Sequence, residues 1–212
     1  IWGLLNPVID RHGGIIDKYI GDSIMALFPD DKVSAVLAAA EMQKLLQDFN
    51  ALRRQQGLFQ LRMGIGINAG ILNLGTLGSD KRLNTTVIGD TVNVASRLEG
   101  LSKQLDAQVL FTLNTLGQKA QTAMLSYRSL GKWPLKGKEV GVPILEEYSA
   151  QPESYRRYIE AQLPLFKQII HAFEASDTQL CRQLIRQYQL LFPEDAVVNY
   201  LETRLPHAQR GN

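Results

Sequence analysis

The segment over residues 84–100, NTTVIGDTVNVASRLEG, constrains this chain more than any other. Its β-branched run stops at Gly89, and the next residue, Asp90, is of a type that favours helix N-caps. Apolar residues then recur at helical spacing. The segment therefore predicts a strand that passes through a tight turn directly into a helix with one buried face.

Two polar residues of this helix, Asn93 and Arg97, are spaced i,i+4. They therefore project from the same helix face, one turn apart. An amide and a guanidinium that point together from the first turns of a helix suit an anionic oxygen such as that of a phosphate. On spacing alone, a solvated helix face is the more common explanation.

A second segment, over residues 15–28, predicts two short strands around a Gly21-Asp22 turn. Apolar residues lie on both sides of the turn. The ordinary interpretation is a hairpin whose aspartate makes a local turn hydrogen bond. By itself this segment indicates no chemistry.

Together and in this order, the two segments resemble the catalytic domain of class III nucleotide cyclases. The resemblance extends to the glycine-rich tract over 64–78 and to the run over 130–138, LGKWPLKGK, and it reaches from the first residues to about Ser149. It implies an α+β fold with a ferredoxin-like core. The first strand and helix of that core do not appear in this sequence, so we expect an N-terminally truncated catalytic domain.

The local patterns predict the order of the elements. We expect helices over 1–11, 32–56, 90–104 and 113–120, and strands within 15–28 and over 60–68, 71–77, 84–88, 108–112, 124–133 and 142–149. The strand over 60–68 is expected to pair with that over 71–77 around Gly70. Strands and helices mixed in this order predict a sheet with its helices on one face.

The composition changes near Pro152, which predicts a division into a catalytic domain over 1–150 and a helical extension over 151–212. Three amphipathic helices are expected, over 163–175, 178–192 and 196–205. Their arrangement resembles a tetratricopeptide-type unit. A helical cap packed on the catalytic domain explains the pattern equally well.

The resemblance implies the reaction and its metal ions. In such cyclases the ribose 3′-oxygen attacks the α-phosphate in line and expels pyrophosphate, with two divalent ions, Mg²⁺ or Mn²⁺, in each site. Asp22 matches one of the two metal carboxylates. The other belongs to the first strand of the family and has no counterpart here, since Asp10 and Asp17 are expected to be surface charges. We therefore expect the fragment itself to be inactive.

The resemblance also assigns the substrate. Lys18, four residues before Asp22, and Thr86, seven before Asn93, match the pair that binds adenine in adenylate cyclases. A lysine can donate to the ring nitrogen and a threonine hydroxyl can accept from the exocyclic amine. Guanylate cyclases usually carry Glu and a small residue at these positions, so the pair indicates ATP.

Three further residues match the groups that act on the ribose and the phosphates. Asn93 would orient the ribose, Arg97 would meet the charge that develops on the α-phosphate, and Lys136 would contact the triphosphate. Lys138 is close enough in sequence to be the true equivalent of the last.

The family builds each site from two subunits, with the metal carboxylates on one and the other groups on its partner. This chain carries both sets, apart from the one aspartate, which implies a homodimer with two equivalent sites. A guanylate cyclase and a non-catalytic cyclase-like regulatory or dimerisation module remain as alternatives. An RNA-binding domain of related fold would need aromatic pairs and a basic face, which the sequence does not provide.

Composition excludes several other classes. The net charge is +2 and no basic run stands out, so we expect no nucleic acid and no membrane contact from this segment. The single cysteine, Cys181, fits a reducing compartment and a cytoplasmic location. The three histidines are too scattered for a zinc site. Upstream sensor or regulatory domains are expected in the full-length protein.

Overall fold

The computed structural model describes residues 1–77, 84–117, 125–136 and 140–206, and at residues 74, 76–77 and 84–88 it describes the backbone alone. The described helices are α1 (Trp2–Arg11), α2 (Lys32–Gln55), α3 (Asp90–Gln104), α4 (Glu153–Glu174), α5 (Thr178–Leu191) and α6 (Ala196–Arg204). The described strands are β1 (Ile15–Ile20), β2 (Ser23–Leu27), β3 (Ile65–Ile67), β4 (Asn73–Leu77), β5 (Asn84–Ile88), β6 (Val109–Thr112), β7 (Tyr127–Trp133) and β8 (Val142–Glu147). The predicted α+β class is confirmed.

The main sheet has the strand order β3-β6-β8-β7, with β3 and β6 parallel and the other pairs antiparallel. The predicted pairing of 60–68 with 71–77 is wrong, because β3 pairs with β6 and β4 pairs with β5. The alternating pattern and the turn at Gly70 favour a local hairpin. Strand β6, however, is buried at all four positions and has a neighbouring strand on each side. Burial of this central strand therefore decided the pairing.

Helices cover both faces of the sheet, so the prediction of helices on one face is wrong. In β6, Leu110 shares a core cluster with Leu98 of α3, whereas the next residue, Phe111, shares one with Val36 of α2. Neighbouring residues of a strand point to opposite faces. An unbroken apolar run such as β6 is typical of a strand that is buried on both sides.

The backbone of α3 lies directly against β3. A Cβ added to Gly66 would stand 2.2 Å from the carbonyl oxygen of Ala95 and 2.3 Å from the amide nitrogen of Glu99. Only glycine permits this approach. The helix begins at Asp90 with Gly89 as its N-cap and no capping side chain, so the predicted cap is displaced by one residue. Asp90 still lies in the first turn, where its negative charge interacts favourably with the helix dipole.

The C-terminal helices share one core with the main sheet and α3. Buried residues of α4, α5 and α6 belong to the same cluster as Leu98 and Leu110, among them Ile169, Ile185 and Val198. Helix α4 begins at Glu153, earlier than the predicted residue 163, and continues through Pro164. The division at residue 150 stays a prediction.

Two smaller points complete the fold. The predicted helix over 113–120 is a single 3₁₀ turn at Leu113–Thr115, and residues 118–120 lie outside the described part. Within the described ranges, every helix is too short or too polar to cross a bilayer.

Candidate active site

The start of α3 is tied to the ends of two neighbouring strands. The side-chain amide of Asn68 donates to the carbonyl oxygen of Thr91 at 3.1 Å, and its oxygen accepts from the hydroxyl of Thr112 at 2.7 Å. These bonds fix the first turn of the helix, which carries Asn93 and lies one turn before Arg97. Asn93 is exposed and Arg97 is half-buried. The sequence-predicted pair is therefore mounted on a well-anchored helix.

Arg97 contains a buried donor with no acceptor: its Nη1 is shielded from solvent and has no hydrogen-bond partner among the described residues. A buried donor left unpaired costs about 1–3 kcal/mol, and more for a charged group. Arg97 also lines a cleft of about 300 Å³. An anionic group that entered this cleft would satisfy the donor.

The cleft lies between the C-terminal half of α3, the end of β7 with its following turn, and α6. Its described lining consists of Arg97, Gly100, Leu101, Gln104, Trp133, Pro134, Leu135, Lys136, Tyr200 and Arg204. Three of these side chains are cations, and none of the described ones is a carboxylate. Such a surface favours a polyanion. The structure thus brings together two predicted residues, Arg97 and Lys136, whereas Lys138 lies outside the described part.

Three lining residues with polar side chains, Gln104, Tyr200 and Arg204, were missed by the sequence analysis. Gln104 could have been found, because it lies seven residues after Arg97 on the same helix face. Tyr200 and Arg204 carry no local signal, since they belong to a helix far along the chain. Tyr200 stacks on Trp133 with ring centroids 5.7 Å apart, and its hydroxyl donates to Gln104 Oε1 at 3.2 Å.

The β1–β2 hairpin holds Asp22 outside this cleft. Gly21 has φ +60°, a left-handed conformation that glycine adopts without strain, and Asp22 follows it at the exposed tip. Hydrogen bonding to Glu99 raises the pKa of Lys103 on α3, and the charge of Asp22 adds a smaller contribution in the same direction. Asp22 is not among the described lining residues of the cleft, so within one chain it does not join Arg97 and Lys136 there.

Lys18 is paired with its neighbour. The register of β1 and β2 shifts between Ile16 and Lys18, and this bulge brings Asp17 Oδ2 within 3.2 Å of Lys18 Nζ. The Asp17 side chain is only 12% exposed, so its prediction as a surface charge is wrong, whereas Asp10 is exposed as expected. A bulge redirects side chains that would otherwise alternate between faces. Asp17 thereby orients the ammonium of Lys18.

The other predicted adenine residue, Thr86, lies in β5 opposite Gly75. Its side chain falls outside the described part. Its role in binding adenine stays a prediction.

The described residues do not fit two divalent ions by themselves. Such ions need several oxygen ligands, chiefly from carboxylates. In the described ranges, no three His, Cys, Asp or Glu side chains stand close enough to hold a metal ion. Asp22 is a single carboxylate at a predicted metal position. We therefore assign no step of the reaction to a metal ion.

A larger cleft of about 530 Å³ lies between α2, the segment before β3 and the end of α3. Two of its polar groups already have partners: Arg62 pairs with Asp106, and the amide of Gln43 donates to the carbonyl oxygen of Met63 at 2.7 Å. Because it offers no unpaired buried cation among the described residues, it is a poorer anion site than the cleft at Arg97.

Comparison with known proteins relates the chain to one family. The family described as "Adenylate and Guanylate cyclase catalytic domain" matches residues 3–148. An adenylate cyclase of Anabaena cylindrica is 43% identical over 148 residues, which cover 67% of this chain and 30% of that protein. The terminal-differentiation-specific adenylate cyclase of Dictyostelium discoideum is 32% identical over 194 residues, which cover 84% of this chain and 9% of that protein.

Solved structures agree with the sequence match. The crystal structure of the guanylyl cyclase Cya2 superposes with a TM-score of 0.56 at 34% identity, covering 69% of this chain and 75% of that one. The chain spans less than a third of the length of the curated relatives named above.

Proposed function

The chain belongs to the family of adenylate and guanylate cyclase catalytic domains, and we propose that it is an adenylate cyclase domain that converts ATP to 3′,5′-cyclic AMP and pyrophosphate. In this reaction the ribose 3′-oxygen loses its proton and bonds to the α-phosphorus, while the bond from that phosphorus to the oxygen bridging to the β-phosphate breaks. The observation that carries the proposal is Arg97, which has a buried, unpaired Nη1 and lines a cleft together with Lys136.

Each residue is given a role by its position. Arg97 stabilises charge on the α-phosphate, because it lines the cleft and has a donor without a partner among the described residues. Asn93, one turn earlier, orients the ribose. Lys136 attracts the remaining phosphates from the opposite wall. Fixed donors aimed at developing charge contribute about 10²–10³-fold in turnover each.

The choice of base rests on Lys18 and Thr86. The ion pair with Asp17 orients the Lys18 ammonium, which in our proposal donates to a ring nitrogen of adenine. The guanylate cyclase alternative stays open to test, since relatives of both kinds resemble this chain.

The site is completed, in our proposal, by a second copy of the chain. Class III cyclase domains act as dimers. Since Asp22 lies outside the cleft of its own chain, we place it at the cleft of the partner in a two-fold dimer. Enzymes of this family use divalent ions, and Asp22 would supply one ligand to Mg²⁺ or Mn²⁺. The single cysteine fits a cytoplasmic location for this domain.

The proposal is tested by measuring cyclic nucleotide formation by the full-length protein from ATP and from GTP, first with Mg²⁺ and then with Mn²⁺. Arg97→Ala is expected to lower kcat for ATP by about 10²-fold or more with little change in KM. Arg186→Ala, an exposed arginine of α5 that does not line the cleft, is the matched control and should leave turnover unchanged.

Three results would contradict parts of the proposal. Preference for GTP would make the protein a guanylate cyclase. No cyclic nucleotide with either metal would favour a non-catalytic module. A change confined to KM in Arg97→Ala would make Arg97 a ground-state binding residue.

A further inference from the structure

We propose that Arg204 of α6 is a third phosphate-binding cation of the same cleft, so that the C-terminal helices complete the nucleotide site. This inference rests on the proposed function. The family match ends at residue 148, so Arg204 lies outside the catalytic segment. An appended helix would then contribute directly to substrate and product binding.

The position of Arg204 supports this role. It lines the cleft together with Arg97 and Lys136, on the wall formed by α6. It is exposed, and no carboxylate among the described residues pairs with it. A guanidinium presents several donors in a planar fork that suits phosphate oxygens. Arg204 is therefore free to bind an anion that enters the cleft.

The orientation of α6 towards the cleft is set by its burial pattern. Leu201 and Leu205 are buried in the shared core. Tyr200 and Arg204 are spaced i,i+4 on the adjoining face and line the cleft. The stacking of Tyr200 on Trp133 and its bond to Gln104 join this face to both other walls.

The start of α6 is fixed by a buried charge network. Asp195 is 0% exposed and caps the helix by accepting from the amide of Val197 at 3.0 Å. The same carboxylate accepts from Arg128 Nη2 at 3.1 Å and from the Tyr188 hydroxyl at 2.7 Å. Because Arg128 belongs to β7, the network links α6 rigidly to the strand whose end also borders the cleft. The backbone of the helix that carries Arg204 is thus positioned before any ligand binds.

The position of Arg204 also predicts which kinetic constant it affects. An exposed cation on the rim attracts the bound polyphosphate equally before and during the reaction. Uniform binding of this kind lowers KM without raising kcat. Pyrophosphate, the product, should depend on Arg204 as strongly as ATP does.

The test measures binding of inorganic pyrophosphate by calorimetry, and kcat and KM for ATP, in the full-length protein. Arg204→Ala is expected to weaken pyrophosphate binding and raise KM for ATP about tenfold each, with kcat within about twofold of wild type. Arg204→Lys should recover part of the loss, because it keeps the charge without the fork. Arg186→Ala, on the same helical extension, is the control for a general loss of positive charge.

Several outcomes would overturn the inference. Unchanged pyrophosphate binding in Arg204→Ala would overturn it. Tighter binding in this variant would also overturn it, because it would show that α6 obstructs the cleft. Thermal unfolding checks that Arg204→Ala folds. If that variant does not fold, Arg204→Gln is used in its place. The two proposals fail separately: wild-type turnover in Arg97→Ala refutes the proposed catalytic site, whereas normal pyrophosphate binding in Arg204→Ala refutes only the role of α6.

Discussion

Replacing Asp195 with alanine is expected to destabilise the fold by about 3–5 kcal/mol, because the change leaves a buried arginine short of a partner. Arg128 is 1% exposed, and its two carboxylate partners are Asp195 and Glu146. Burial and the Arg128 guanidinium act in opposite directions on the pKa of Asp195, and the guanidinium prevails, so that pKa is lowered. The carboxylate is therefore ionised at neutral pH, and its removal leaves the buried Arg128 guanidinium without one of its two counter-charges.

The magnitude combines two effects. Breaking a buried ion pair by removing one partner costs about 3–5 kcal/mol, and losing an N-cap costs about 1 kcal/mol, although the two losses overlap at one side chain. For a chain of this size each kcal/mol lowers Tm by about 2–4 °C, so we expect a decrease of about 6–20 °C. Equilibrium denaturation and thermal unfolding at pH 7 measure both quantities.

A double-mutant cycle isolates the ionic part. In an Arg128→Met background no buried guanidinium remains and Asp195 is itself a buried carboxylate without that partner, so Asp195→Ala should cost no more than about the 1 kcal/mol of the cap. Asp195→Asn, which keeps an acceptor for the amide of Val197, should lose the ion pair and keep much of the cap. If Asp195→Ala cost the same with and without Arg128, the argument from the buried charge would be refuted.

Three further predictions concern other parts of the chain. Lys18→Glu with Thr86→Cys should weaken ATP use and permit some GTP use; a double variant with wild-type ATP turnover would remove the assignment of the adenine pair. Burial raises the pKa of Glu147, so wild-type stability should fall as pH rises from about 4.3 through that raised pKa. Between pH 4 and 8, the Glu147→Gln variant should lack this part of the decrease in Tm. Gly66→Ala should lower both Tm and cyclic AMP formation, since its Cβ would meet the backbone of α3 at 2.2 Å; an unchanged Tm would contradict this packing.

Elements whose signals are local were predictable from the sequence. The β1–β2 hairpin around Gly21 and Asp22, the long helix α2 and the strand–turn–helix of β5 and α3 lie where the patterns predict them. Each is specified by residues adjacent in sequence: a glycine turn, helical periodicity or a β-branched run.

Pairings between distant segments were not predictable in this way. The parallel pairing of β3 with β6 depends on burial of β6 on both faces, which local alternation before Gly70 does not reveal. The bulge that turns Asp17 inward depends in the same way on the register with β2.

For the candidate site, the sequence indicated Arg97 and Lys136, which the structure places in one cleft. It gave no signal for Arg204, because the contact of α6 with that cleft depends on a buried bond between Arg128 and Asp195, residues far apart in the chain. The catalytic roles of the predicted residues remain predictions.

If two copies of the chain build each site, mixing two inactive variants of the full-length protein should restore activity. Asp22→Ala and Arg97→Ala should each be inactive as homodimers. After subunit exchange about half of the dimers are mixed and each has one intact site, so the mixture should recover about a quarter of wild-type cyclic AMP formation. An equal mixture of Arg97→Ala with Lys136→Ala, whose lesions lie in the same cleft, is the control and should recover nothing. No recovery from an Asp22→Ala and Arg97→Ala mixture whose subunits are shown to exchange would contradict the account.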